Sequence, residues 1–241
     1  MGALATIAAL PESLTIKGVA AIFDCSGALW LPHERVLVVS DLHFEKGSHF
    51  AQKGQFLPPY DTRATLDTLE RLMRLCQPRV VVSLGDAFHD LGAEARMDEA
   101  DASRLEGLCA AAEWVWILGN HDPLPPRRFG GQAKAVADIA GLNFVHEPGD
   151  HADWNVAGHL HPCAVAQKNG RGVRRPAFVT DGDRLVMPAF GAFTGGLNVL
   201  DSAFHGVVAR NYRTFLCGQG RVYEVPRRSL RSDAPPPSWM R

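Results

Sequence analysis

The chain has 241 residues, 46% of them hydrophobic and 21% charged, with a formal net charge of −1 and a pI near 6.8. This is an ordinary globular composition, long enough for one large domain with at most a short appendage. The near-neutral charge argues against tight nonspecific binding of a polyanion, which depends on many phosphate contacts.

In chain order, LTIKGVAAIFD (14–24) reads as an opening strand, and the CSG turn at 25–27 precedes ALWL. RVLVVS (35–40) is a short, nearly all-apolar run of the kind that suits a central strand buried on both faces. Asp61 is expected to cap a helix reaching Cys76, with Leu66, Leu69, Leu72 and Met73 on one stripe. RVVVSLG (79–85) is the next buried strand, 97–112 a helix, and WVWILG (114–119) a third strand.

That alternation predicts α/β layering. After residue 140 the pattern changes to short strands at 143–146, 154–157, 163–167, 173–180, 184–187, 197–200, 205–210 and 220–225, separated by Gly, Asn and Asp turns. They imply a second, largely antiparallel sheet. We take 1–226 as a single domain and 227–241 (RRSLRSDAPPPSWMR) as a basic, proline-rich, mobile tail.

Five cysteines, odd in number and without a C-x-x-C pair, read as reduced thiols of a cytoplasmic protein. No apolar stretch reaches the roughly 18 residues that span a bilayer, so no membrane association is expected. The N-terminus lacks the basic start of a secretory signal. Gly2 and Thr6 match a loose acylation pattern, but one acyl chain anchors poorly and no basic patch follows.

The chemistry is concentrated at the ends of the apolar runs. Asp41 and His43 (SDLHF) are spaced so that both side chains leave one side of an extended segment. His159 and His161 (AGHLHP) repeat that geometry. Asp86 (LGDAFHD) leaves a strand after Gly85, where a carboxylate has oxygens enough to bridge two cations. Asn120 (LGNHD) offers a neutral oxygen that hard cations accept, and His146 (FVHEP) follows an apolar pair. Taken singly, each of these is more often a turn, an N-cap or a core histidine. Their conjunction describes two divalent cations sharing one carboxylate, a centre that makes hydroxide at neutral pH for in-line attack at phosphorus. Ligands of Asp, Asn and His without thiolate suit Mn, Fe or Zn. Cys163, two residues past His161, is expected to pack and not to ligate.

The motifs D-x-H, G-D, G-N-H-D, H and G-H-x-H, in this order from Asp41 to His161, resemble those of the calcineurin-like metallophosphoesterase superfamily. The resemblance implies a four-layer α/β/β/α sandwich. It assigns Asp41, His43 and His161 to one metal, Asn120, His146 and His159 to the other, and Asp86 to both. It also puts His121 opposite the scissile phosphate as the residue assisting the leaving group. Most superfamily phosphatases carry an Asp three places after the second-motif Asp; here that place holds His89. This departure is similar to the repair-nuclease branch, where the histidine helps position the substrate and the acid histidine. Asp90 or Asp122 remains as a partner to orient His121.

Longer stretches, DLHFEKGSHFAQKGQFLPPYDT (41–62) and MPAFGAFTGG (187–196) with the motifs above, look like the bacterial ligase-associated DNA-damage-response endonucleases. That resemblance implies two divalent ions, in the first place Mn2+, and a DNA phosphodiesterase acting on single strands in repair. It also implies functional association with a DNA ligase, a helicase and an exonuclease. Candidate substrate contacts are Lys46, Arg127 and Arg128, with the cluster Lys168, Arg171, Arg174 and Arg175 around a Gly turn. Phe44, Phe88 and Phe190 are candidates for base stacking, with core packing as the alternative. GAFTGG lacks the G-K-[ST] ending of a P-loop and is expected to be a turn near the site. The rival readings are a small-molecule phosphodiesterase, pyrophosphatase or phosphatase on the same scaffold, and a noncatalytic interaction module. Oligomeric state is not encoded in any motif.

Overall fold

Strands that are apolar at every position need cover on both faces, and the first sheet supplies it. The computed structural model describes residues 14–55, 57–58, 60–124, 126–149, 152–168 and 171–233. Its first sheet takes seven strands in chain order: β1 (Leu14–Ile16), β2 (Val19–Phe23), β3 (Leu29–Leu31), β4 (Val36–Val39), β5 (Val80–Leu84), β6 (Glu113–Ile117) and β7 (Gln132–Lys134). The first four pair antiparallel, and β4 to β7 run parallel. The expected opening strand is thus a hairpin, turned at Lys17 and Gly18, both with positive φ.

Side chains alternate between faces along each strand. Val36, Val38, Val80, Val82, Leu84, Val115 and Ile117 enter one core cluster, whereas Leu37, Val39, Val81, Trp114 and Trp116 enter another. The second cluster lies under the helices α2 (Asp61–Cys76) and α4 (Glu99–Ala110), which place Leu66, Leu69, Leu72 and Leu105 against the sheet. Asp61 does not cap α2 with its side chain. Tyr60 is the N-cap residue, and Asp61 Oδ2 instead accepts the Gly47 N–H at 2.8 Å. That bond ties α2 to the seven-residue helix α1 (Lys46–Gln52), which no apolar period announces. A single helical turn, α3 (Ala93–Arg96), precedes α4.

The chain crosses to the second sheet between β7 and β8 (Ala137–Ile139), both edge strands. The second sheet adds β9 (Leu142–Phe144), β10 (Val156–Ala157), β11 (Cys163–Lys168), β12 (Arg171–Thr180), β13 (Leu185–Val186), β14 (Arg213–Cys217), β15 (Val222–Val225) and β16 (Leu230–Arg231). Its order is β15-β14-β12-β13-β10-β9-β8, with β11 on β12 and β16 on β11; only β10 pairs parallel with its neighbours. The two sheets face each other across the first core cluster, where Phe23 of β2 stacks on Phe178 of β12 at 4.4 Å.

The fourth layer departs in detail from an α-helical one. Val199, Phe204 and Val208 cover the outer face of the second sheet from an irregular segment holding one 3-10 turn (Ser202–Phe204). The run 197–200 is reduced to a single parallel bridge, Asn198 on Cys163 of β11, and 205–210 to a bridge within itself, His205 to Val208; their apolar residues serve as cover. The strand that follows them is β14, one in from the β15 edge of the sheet. The tail boundary also moves. Leu230 and Arg231 pair with Ala166 and Val165, so the sheet extends past 226, and 234–241 lie outside the described residues. Among the described residues no helix is long and apolar enough to cross a membrane.

Candidate metal centre

The polar residues leave the apolar strands where the ladders end, and the loops that follow remain paired. His43 and Phe44 donate their N–H groups to the carbonyls of Asp86 and Ala87, both at 2.9 Å, so the segments after β4 and β5 run side by side. Asp41, His43, Asp86, His159 and His161 all have φ between 45° and 64°. Non-glycine residues reach that left-handed region only when the surroundings enforce it, and such strain concentrates at functional sites. Here the enforcement includes backbone bonds on both sides: Gly158 N–H donates to the His146 carbonyl at 2.9 Å within the second sheet, and His159 N–H points across to the Asp41 carboxylate of the first, 3.2 Å from Oδ2.

All seven expected ligand positions converge. Asp41, His43 and His161 form one group and Asp86, His146 and His159 a second, with the ligand atoms of each group within 4.8 Å of one another. Asn120 Oδ1 lies 3.0 Å from His146 Nε2, which places it with the second group. Asp86 Oδ2 stands 3.5 Å from His146 Nε2 and 4.0 Å from His43 Nε2, between the two.

The donor atoms fit a divalent cation. His43 Nδ1 and His161 Nε2 are buried without a hydrogen-bond partner, although His161 Nε2 is 2.9 Å from Asp41 Oδ1. Buried polar atoms left unpaired destabilise a fold unless something else satisfies them. His146 Nδ1 faces the Leu84 carbonyl at 2.9 Å, and a carbonyl only accepts, so Nε2 is the atom turned to the pocket.

Electrostatics agree with that reading for Asp41, Asp86 and His43, whereas His146 would have to release a proton from Nε2 to a cation. Burial alone would raise Asp86, but the hydrogen bond and charge of His146 bring it down to about 2. Burial likewise opposes ionisation of Asp41, and the nearby His161 and His146 hold it below the usual carboxylate range. Burial pulls His146 down, and Asp86 and Asp41 outweigh it, lifting the imidazole to about 9. Burial lowers His43 to about 3, so it stays neutral and offers a lone pair. The carboxylates are held as anions even where buried, which is the condition for gripping a cation.

His121 stands at the rim. Its N–H donates to Asp86 Oδ1 at 2.8 Å, and its ring lies 5.2 Å from that of His43. Its Nδ1 is 2.9 Å from the backbone carbonyl of His89, which fixes the tautomer and leaves Nε2 exposed. The orienting partner is thus neither Asp90 nor Asp122. Asp122 accepts the N–H groups of Ala87 and Phe88 at 2.8 and 3.2 Å. Asp90 takes His49 Nδ1 at 2.6 Å and the Arg96 guanidinium at 2.9 and 2.6 Å. The His89 ring stacks on His121 at 5.3 Å and meets His43 at 5.5 Å and His49 at 4.7 Å. Burial, with His49 and His121 adding to it, lowers His89 to about 4. His49 carried no signal in the sequence beyond its place in the 41–62 stretch.

The expected substrate contacts fare differently. Lys46 is half-buried at the start of α1, near enough to His89 to act on its charge. Arg127 is exposed. Arg128 is already committed, its guanidinium 2.6 Å from Glu106 and 2.8 Å from Glu99. Arg174 is tied to Asp233 and the Gly196 carbonyl, and the side chains of Lys168 and Arg171 lie outside the description. Phe44, Phe88 and Phe190 are buried, so packing and not base stacking accounts for them. Cys163 is buried and belongs to none of the ligand groups among the described residues.

GAFTGG straps the site. Phe190 N–H donates to the Ser40 carbonyl at 2.8 Å, and a Cβ on Gly191 would overlap the Leu42 carbonyl oxygen. A Cβ on Gly158 would overlap Ser40 Oγ and stand 2.6 Å from Asp41 Oδ2. Gly158→Ala should therefore lose most bound metal and activity while keeping native circular dichroism. Gly172→Ala, where the added carbon meets only Val165 at 3.7 Å, should keep both. Metal content after desalting checks the pair.

Fold and pocket together define a two-sheet hydrolase scaffold with clustered metal-binding side chains at the sheet ends. Residues 34–171 match the family profile described as calcineurin-like phosphoesterase, more than half of the chain, and the protein belongs to that family. As members of it do, it uses divalent metals and is a metal-dependent phosphoesterase. The structure is similar to that of the Pseudomonas putida nuclease MPE, with a TM-score of 0.68 and 28% identity over 89% of this chain and 99% of that one. It is also similar to Yfce, a phosphoesterase from E. coli, with a TM-score of 0.39 and 14% identity over 79% of this chain and 97% of that one. No curated protein matches the chain.

Proposed function

We propose that this protein is a dinuclear-metal phosphodiesterase that cuts DNA, with single-stranded DNA as substrate, as an endonuclease in repair. The observation that carries the reading is the convergence of Asp41, His43, Asp86, Asn120, His146, His159 and His161 under an oriented His121. The likeness to a protein described as a nuclease supports the choice of diester over monoester.

Asp41, His43 and His161 would hold one cation, Asn120, His146 and His159 the other, and Asp86 both. When bound, divalent ions supply a low-pKa water and Lewis-acid stabilisation of the phosphoryl oxygens. Everything else falls to side chains of the chain. His121, held through Nδ1 by the His89 carbonyl, presents Nε2 to protonate the departing oxygen. The His89 ring backs it on one face, and the His49–Asp90–Arg96 group fixes His89 from the far side. The donor set suits Mn2+, with Fe and Zn as the alternatives. A cytoplasmic setting and association with a ligase, a helicase and an exonuclease complete the proposal.

One observation favours a small diester as the substrate instead: Arg128 and Arg174, two of the candidate phosphate contacts, are tied up in ion pairs. The test is an assay with added Mn2+ on circular single-stranded DNA, run beside bis(4-nitrophenyl) phosphate. Linearised circles support the endonuclease. Intact circles with steady hydrolysis of the small diester would transfer the assignment to small molecules.

A further inference from the structure

Two of the most exposed apolar side chains in the protein line the same cleft. Leu91 is 68% and Leu124 59% exposed, and they belong to the loops that carry His89 and His121. The cleft, about 560 Å3 in volume, has Phe88 and Pro126 in its walls and Arg127 at one end. A lone exposed leucine needs no explanation, but paired ones facing a concavity beside reacting groups mark a ligand site.

The cleft also contains acids, each bonded within the protein, although Asp122 Oδ1 is buried without a partner. Asp90 is held by Arg96 and His49, Glu94 accepts the N–H groups of Arg127 and Arg128 at 3.1 and 2.8 Å, and Asp122 accepts two backbone N–H groups from the 87–88 turn. Among the described residues the Arg127 guanidinium has no ion-pair partner. The chemistry left over is therefore an apolar slot with a cation at its edge, which matches a nucleobase and the phosphate attached to its sugar.

Its position says which nucleotide. His121 adjoins both the ligand groups and the cleft, its ring 5.2 Å from that of His43 and its chain neighbour Asp122 in the cleft wall. A group that leaves towards His121 leaves towards the cleft. Resting on the DNA phosphodiesterase reading above, we propose that Leu91 and Leu124 clamp the base of the nucleotide on the leaving-group side of the scissile bond, with Arg127 meeting its next phosphate.

The experiment is a double-deletion cycle on a single-stranded oligonucleotide whose diesters are blocked except one. Removing the leaving-side base, by an abasic residue, should lower kcat/KM of the native enzyme about tenfold, mostly through KM. Leu91→Ala and Leu124→Ala, singly and together, should lower it on the complete substrate by a similar factor. On the abasic substrate the double variant should equal the native enzyme, because the clamp has nothing left to hold. Equal losses on both substrates, or no loss on either, would overturn the clamp. The leucines are exposed and in separate loops, so each single variant tests the idea with its metal content as a check on folding. An oligonucleotide that the native enzyme leaves uncut, while it hydrolyses bis(4-nitrophenyl) phosphate, would remove the DNA reading itself and the clamp with it.

Discussion

Asp86→Asn should leave a folded protein that binds at most one divalent ion per chain and turns over at least on the order of 10³-fold more slowly. The substitution keeps the shape and the acceptor for the His121 N–H, but removes the charge between the two ligand groups. Stabilisation of the transition state by bound cations amounts to several kcal/mol, and about 1.4 kcal/mol is a factor of ten in rate. His146 is informative here, because its imidazole is lifted to about 9 largely by Asp86. Without that carboxylate the ring should titrate lower, which NMR of the metal-free variant would detect. Elemental analysis of the desalted protein supplies the main readout. Two tightly held ions in Asp86→Asn would mean that this carboxylate does not join the groups.

His121→Ala is expected to separate chemistry from metal binding. Its side chain groups with His43 and His89 and lies outside the two sets assigned to the cations, so metal content should stay full while kcat falls by roughly 10²–10⁴, the range for a lost general acid. Leaving groups of low pKa need little protonation. The variant should therefore recover much of its rate on a nitrophenyl diester, and little on an alkyl diester such as DNA. An equal loss on both, with metal released, would make His121 a ligand. His121→Asn should behave like the alanine variant, because an amide does not protonate a departing alkoxide.

What could be read from residues alone follows a physical division. The seven candidate ligand positions are legible because each combines a metal-competent side chain with the end of an apolar run, and such runs become strands whatever packs on them. The partner of His121 was hidden because it is a backbone carbonyl, which every residue carries and none advertises. His49 was hidden by its helix: α1 contains Gly47 and Ser48 and has no apolar stripe, so tertiary bonds such as Gly47 to Asp61 hold it. The ion pairs of Arg128 are not legible locally, because the acids that capture it, Glu99 and Glu106, sit on α4, more than twenty residues back in the chain. In the second half, apolar content was equated with strand. Val199, Phe204 and Val208 bury their side chains just as strand residues do, but from above the sheet.

The crossover from the first sheet to the second falls between Lys134 and Ala137. Four of the seven polar positions precede it and three follow it, so each half of the polypeptide carries an incomplete grip. Ions seated there would rivet one β-layer to its neighbour at their common rim. Prying the layers apart and emptying the pocket would then be a single event, and neither half could evolve its share of the grip alone.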